Sequence, residues 1–321
     1  MEKEGKRKRP NRRWGLLAAL ALGAGLTWAR RDRHRQLYPP RGEVWGLPSG
    51  ATHVIEGGSP DAPPLLLIHG SDGVALDWPL SPLWKKLAPH ARLIAPDRPG
   101  HGYTPARPGE AVTVEKNVER CLELLDALGL EQVTVVGHSY GAAVALALAL
   151  RRPERVRALV LISPLALPAR GLTRPLAYVP QVPLLETLLT RVLLLPLGRV
   201  VAHIEGGNAF YPAPVHAAWQ QMMLAFSRRR EQVHALAREN RTLGRELGAL
   251  RALYPSLRCP VTVLGGVHDR LAPYPQQAQA LSGQVPGAEL LTFSDGGHQL
   301  HWTHPEEVAR ATLAALPRSK G

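Results

Sequence analysis

The chain has 321 residues, 45% of them hydrophobic and 20% charged, a balance that suits one enzyme-sized core and excludes the apolar-poor composition of a disordered protein. Its 30 glycines and 30 prolines follow no collagen-like period and no solenoid repeat, so fibrous and array architectures are excluded as well. Of the formal charge of +13, residues 1–35 hold +8, which leaves +5 for the rest and no basic stripe interleaved with aromatics, so nucleic-acid binding is not expected.

The first element is a charge-free run over residues 14–29 (WGLLAALALGAGLTWA), preceded by KRKRPNRR and followed by RRDRHR. As a helix it is about 24 Å long against a hydrocarbon thickness of about 30 Å, short for a span but bracketed by Trp14 and Trp28 as interfacial residues. The basic cluster after the run argues against cleavage, so residues 1–35 read as an uncleaved membrane anchor. A cleaved secretory or twin-arginine signal and a helix lying on an anionic surface are the rival readings. Seven Lys/Arg before the run against four after it predict a cytoplasmic amino terminus and an extracytoplasmic domain.

Beyond a Pro-rich stretch at Pro39 and Pro40, short apolar runs alternate with helical periods. Strands are predicted over residues 52–56, 65–68, 92–95, 133–136, 158–162, 261–264 and 289–293. Helices are predicted over 114–128, 140–151, 276–281 and 305–316. Several strand runs are apolar throughout, as strands covered on both faces are. The fold class is therefore α/β: a mostly parallel, doubly wound sheet with helices on both faces. The alternation stops over residues 164–258, which are rich in Leu, Arg and Pro, and a stretch of that length is too long for a loop. It reads as a helical lid inserted between two core parts, 36–163 and 259–321. Cys121 and Cys259 stand in no metal-ligand or redox spacing, and no motif for a metal or organic cofactor is present.

The strongest chemical signal is Gly137-His138-Ser139-Tyr140-Gly141, between the apolar run VTVV and the helical AAVALALAL. A strand-to-helix turn this sharp needs small residues beside the serine and lifts its hydroxyl above the sheet, at a helix amino terminus suited to developing negative charge. A serine hydroxyl needs a base to take its proton and a carboxylate to orient that base. Asp269 follows the strand run VTVLGG and His298 follows LLTF, so both belong at the carboxyl edge of the sheet with Ser139. Asp295 is the fallback acid, and His301 and His304 are rival bases. Two N–H donors for an oxyanion are expected from Ser71, in the loop after LLLIHG, and from Tyr140. His69 is read as a buttress of that loop, and the Asp97-Arg98-Pro99-Gly100-His101-Gly102 turn as structural, with His101 lining the pocket.

Taken together, strand-HG, DRPGHG, GHSYG, GGVHD and GGHQLHWTHPEEV in this order resemble the α/β-hydrolase family over about residues 50–317. The resemblance implies a nucleophile–acid–base order matched by Ser139, Asp269 and His298, and a lid after the sixth strand. Thr104 departs from the serine that relatives often carry there. Serine at the elbow argues against the dehalogenase and epoxide-hydrolase branches, which use aspartate. The expected activity is hydrolysis of carboxylic esters through an acyl-enzyme, with a small-molecule ester as partner. The Leu-rich run 183–197 points to apolar ones. The alternative is a non-hydrolytic member of the same fold, such as an acyltransferase, perhydrolase or binding protein.

Overall fold

The computed structural model describes residues 33–107, 110–168, 203–226 and 229–317. Eight strands form one sheet: β1 (Glu43–Leu47), β2 (Gly50–Gly57), β3 (Pro64–Ile68), β4 (Arg92–Pro96), β5 (Val133–His138), β6 (Val156–Ile162), β7 (Val261–Gly266) and β8 (Glu289–Phe293). Their spatial order is β1-β2-β4-β3-β5-β6-β7-β8. β2 pairs antiparallel with β1 and with β4, and every other pairing is parallel. The fold is the mostly parallel α/β sheet that the alternation of runs predicts.

The apolar strands are continuous because the sheet is buried on both sides. In β3, Leu66 and Ile68 join the core beneath α1 (Val114–Ala127) and α2 (Tyr140–Arg151). Leu65 and Leu67 point the other way, into a second core with Trp78, Leu83, Leu87 and Val308, the last from α5 (Pro305–Ala314). Successive strand side chains alternate faces, so only a run apolar at every position satisfies both cores. α1 starts where the Thr113 hydroxyl accepts the Lys116 N–H at 3.2 Å. It buries Val114, Val118, Cys121 and Leu125 at helical spacing. Burial pushes the Cys121 thiol up to about 12, leaving it a packed core residue and a poor nucleophile.

Within 164–258 no strand occurs among the described residues. Residues 203–210 are helical, followed by α3 (Ala217–Phe226) and α4 (Arg230–Arg251). The buried stripe of α4 runs Gln232, Ala235, Glu239, Leu243, Leu247. Leu243 and Leu247 pack on the core beneath α1 and α2, which carries α4 across the carboxyl edge of the sheet.

Three expectations need correction. β1 was absent from the predicted elements because it is a one-sided edge strand with Val44 62% exposed, so it lacks an apolar run. The helix expected over 276–281 is a π-helical turn, Pro275–Gln279, running into Ala280–Ser282. The membrane anchor, transmembrane segment and extracytoplasmic placement are not sustained: no described helix is long and apolar enough to cross a membrane. Residues 14–29, which carried that expectation, lie outside the described residues, as does the run 183–197.

Candidate active site

β5 is buried along its whole length and delivers the chain into the turn at Ser139. There the backbone takes φ +54° and ψ −117°, a conformation unfavourable for a residue with a Cβ. Neighbouring bonds hold it: the Ser139 N–H donates to the Ile162 carbonyl at 3.0 Å, and its own carbonyl accepts from Ala142 and Leu165, each at 3.0 Å. The flanking glycines follow from contact distances. A Cβ on Gly137 would lie 2.6 Å from the Gly141 carbonyl oxygen, and one on Gly141 would lie 2.1 Å from that of Ile68. Helix and sheet approach so closely here that no larger side chain fits.

Asp269 lies three residues beyond β7 in a tight turn. Its Oδ1 accepts the N–H groups of Leu271 and Ala272, both at 2.8 Å. Oδ2 is left facing Nδ1 of His298 at 2.7 Å, and both side chains are buried. This bond places the imidazole proton on Nδ1 and leaves Nε2 free to accept. The His298 loop is held on two sides. Its N–H donates to the Ala209 carbonyl at 3.1 Å, from the helical stretch 203–210, and its carbonyl accepts from Nε2 of His138 at 3.1 Å.

The structure thus brings Ser139, His298 and Ser71 to the wall of one cavity of about 210 Å³, with Asp269 behind His298. Met223 and Asn240, from α3 and α4, line the same cavity. Among the described residues, the N–H groups of Ser71 and Tyr140 donate to no backbone carbonyl. The rival residues lie elsewhere. Asp295 is 80% exposed and sits 3.2 Å from Nε2 of His304, which lowers its carboxyl from the usual range. His301 is buried against Asp77, with Nε2 to Oδ2 at 3.0 Å, and Trp302 Nε1–H donates to the other oxygen at 2.9 Å.

Asp77, His138 and His301 are the described residues whose ligand-type atoms approach within 4.8 Å, a spacing compatible with a metal ion. Hydrogen bonds engage both Asp77 oxygens, His301 Nε2 and, through the main-chain oxygen of His298, His138 Nε2, while Nδ1 of His301 is buried without a hydrogen-bond partner.

Behind the Ser71 loop lies a buried polar cluster that no motif singles out as a unit. Arg98 pairs with Glu239 of α4 and donates to the carbonyls of Gly70 (2.9 Å) and Ser71 (3.2 Å). Its guanidinium carbon lies 4.4 Å from the centroid of the Tyr140 ring. Nε2 of His101 faces the Ser71 carbonyl at 2.7 Å. Nε2 of His69 accepts the Arg98 N–H at 3.0 Å, which puts the His69 proton on Nδ1, and Nδ1–H donates to the Gly70 carbonyl at 2.9 Å. Burial, assisted by the Arg98 charge, pushes both imidazoles well below their ordinary pKa and keeps them neutral. Burial likewise pushes the Glu239 carboxyl up to about 7, against the opposing pull of Arg98.

Comparison with known proteins bears on the same region. A family model described as alpha/beta hydrolase fold matches residues 63–305. A 2-hydroxymuconate semialdehyde hydrolase from Pseudomonas putida is 32% identical over 252 residues, 77% of this chain and 84% of that protein. A 2-hydroxy-6-oxo-2,4-heptadienoate hydrolase from Pseudomonas putida strain F1 is 28% identical over 253 residues, 76% and 84% of the two chains. Among solved structures, a hydrolase from Pseudomonas aeruginosa PA01 superposes with a TM-score of 0.68 at 24% identity, covering 85% of this chain and 97% of its own. That last likeness shows the fold alone.

Proposed function

The chain belongs to the alpha/beta hydrolase fold family, and from that premise we propose that it is a serine hydrolase that cleaves carboxylic esters through an acyl-enzyme. Ser139 attacks the substrate carbonyl while Nε2 of His298 takes its proton. Asp269 holds the imidazole tautomer and stabilises the charge that forms on it. The N–H groups of Ser71 and Tyr140 receive the developing oxyanion. His298 then returns the proton to the leaving alcohol, and water repeats the sequence to release the acid. One observation carries this reading: the 2.7 Å bond that turns the basic nitrogen of His298 away from Asp269, beside the cavity that Ser139 lines.

α3 and α4 form the lid of this reading, since they supply part of the cavity wall. The described lining mixes Leu165, Met223 and Leu243 with Asn240, Gln299 and Arg270, so an acyl group with both apolar and polar parts fits it better than a purely apolar one.

A second reading is favoured by sequence likeness: an unsaturated keto acid or semialdehyde, like those in the names of the two Pseudomonas putida relatives, in place of an ester. The test labels the protein with a fluorophosphonate, using Ser139→Ala as control. It then compares kcat/KM for p-nitrophenyl esters of rising chain length with that for 2-hydroxymuconate semialdehyde. Serine-dependent labelling with faster ester turnover supports the ester reading, and faster semialdehyde turnover transfers the proposal to the second.

A further inference from the structure

We infer that Arg98 is a positioning residue that aims the Ser71 N–H at the substrate oxygen, and that Glu239 in α4 holds Arg98 in place. The inference rests on the serine-hydrolase reading above, because that reading gives the Ser71 N–H its task.

The argument begins with the peptide bond between Gly70 and Ser71. A trans peptide is planar, so the Gly70 carbonyl and the Ser71 N–H point in opposite directions from one rigid unit. Whatever fixes the oxygen fixes the N–H. The Gly70 oxygen accepts from Arg98 at 2.9 Å and from His69 Nδ1 at 2.9 Å, and Gly73 closes a turn onto it at 3.1 Å. The N–H on the other side is thereby turned away from Arg98, and Ser71 lines the cavity that Ser139 lines. The next peptide is held as well, its Ser71 oxygen accepting from Arg98 at 3.2 Å and facing His101 Nε2 at 2.7 Å. Gln232 of α4 donates to the Asp72 oxygen at 2.8 Å. Three successive carbonyls are therefore each held by a buried side chain.

Arg98 alone spans two of these carbonyls and also faces the Tyr140 ring, so it touches the residues of both proposed donors. Nη2 donates to both carbonyls while Nη1 meets Glu239, so two nitrogens held apart in one rigid plane serve the loop and α4 together, which the single nitrogen of lysine does not do. A guanidinium this deep needs a counter-charge, and Glu239 is the acid that meets it, with both side chains almost wholly buried. The charged and titratable groups facing Glu239 are Arg98, His101, Asp72 and Glu246. Only Arg98 among them carries positive charge, because burial keeps His101 neutral.

The test measures Arg98→Lys and Glu239→Gln with p-nitrophenyl acetate and with an alkyl trifluoromethyl ketone, which forms the tetrahedral oxyanion on a serine. Circular dichroism and thermal melting establish that each variant is folded. Removing one oxyanion donor typically costs about 100-fold or more in rate, so misaiming one is expected to lower kcat about 10- to 100-fold in Arg98→Lys, with KM within threefold. Glu239→Gln retains an acceptor for Arg98 and is expected to lose about 3- to 10-fold. In both variants the ketone Ki should rise by the same factor as kcat/KM falls, which general loosening would not produce. A folded Arg98→Lys with kcat within twofold of the parent overturns the inference, as does a loss of kcat without matching loss of ketone affinity. If Arg98→Lys does not fold, Glu239→Gln decides by the same proportionality. Turnover that survives Ser139→Ala overturns the underlying reading and this inference with it, whereas loss in Ser139→Ala with a fast Arg98→Lys overturns this inference alone.

Discussion

His138 and His298 are joined across the site: Nε2–H of His138 donates to the main-chain oxygen of His298 at 3.1 Å, and the ring centroids are 4.8 Å apart. Burial, with the neighbouring His301 and His298, pushes the His138 pKa well below the ordinary imidazole value, so His138 is a neutral single donor. The residue before Ser139 in the chain therefore holds the loop that carries the proposed base. His138→Ala is expected to lower stability by about 1–3 kcal/mol, the usual effect of stranding a buried acceptor. Turnover should fall with it, and His138→Gln should recover part of both by restoring an N–H. Urea denaturation and kcat on the same preparations check this.

The proposed acid is distinguished by a pair of substitutions. Asp269→Asn removes the negative oxygen that faces His298 Nδ1 and is expected to lower kcat by about 10³- to 10⁴-fold. Asp295→Asn should leave kcat within about twofold, because Asp295 points into solvent beside His304. Steady-state kinetics on one activated ester compares them, and the opposite ranking would move the acid role to Asp295.

Gly141→Ala reverses an ordinary propensity effect. In an exposed helix interior, alanine stabilises by about 1 kcal/mol relative to glycine. Here the new methyl would lie 2.1 Å from a main-chain oxygen of β3, and backbone cannot yield as a flexible side chain does. A net loss of about 3 kcal/mol or more is expected, read as a lowered urea midpoint.

Glu239 makes stability pH-dependent in a defined direction. Its carboxyl titrates near 7 when folded and near its ordinary value of 4.5 when unfolded. Between these values the folded state binds the extra proton, so this contribution is fully present below about pH 4.5 and is lost as the pH rises through about 7. Relative to Glu239→Gln, the parent should lose roughly 1–3 kcal/mol of unfolding free energy across that interval. Denaturation at pH 5 and pH 8 measures the difference, and equal values at both would refute it.

Much of this was legible along the chain because the signals are local. Leu65–Ile68 and Val133–Val136 read as strands because both of their faces are buried, and Ser139, Asp269 and His298 attract attention because each follows such a run. β1 escapes because one covered face leaves no apolar run, and the turn Pro275–Gln279 escapes because its pattern over six residues is too short to separate helix types. The Arg98–Glu239 pair joins residues 141 positions apart, and no spacing rule reaches that far. It did leave one trace. Glu239 falls on the stripe of Ala235, Leu243 and Leu247, and an acid at a core position of a helix implies a buried cation opposite it.

That placement has a consequence for exchange between proteins. A chimera that kept the sheet and its loops but took residues 164–258 from a donor with an apolar side chain at the position of Glu239 would seal the Arg98 guanidinium in the interior with no acceptor from α4. The graft would fail beneath the roof, in a loop whose own sequence had not been touched. Compatibility between the two pieces therefore depends on this position of the donated segment, and a recombination library that fixes a glutamate there should yield folded hybrids more often than one that leaves it free.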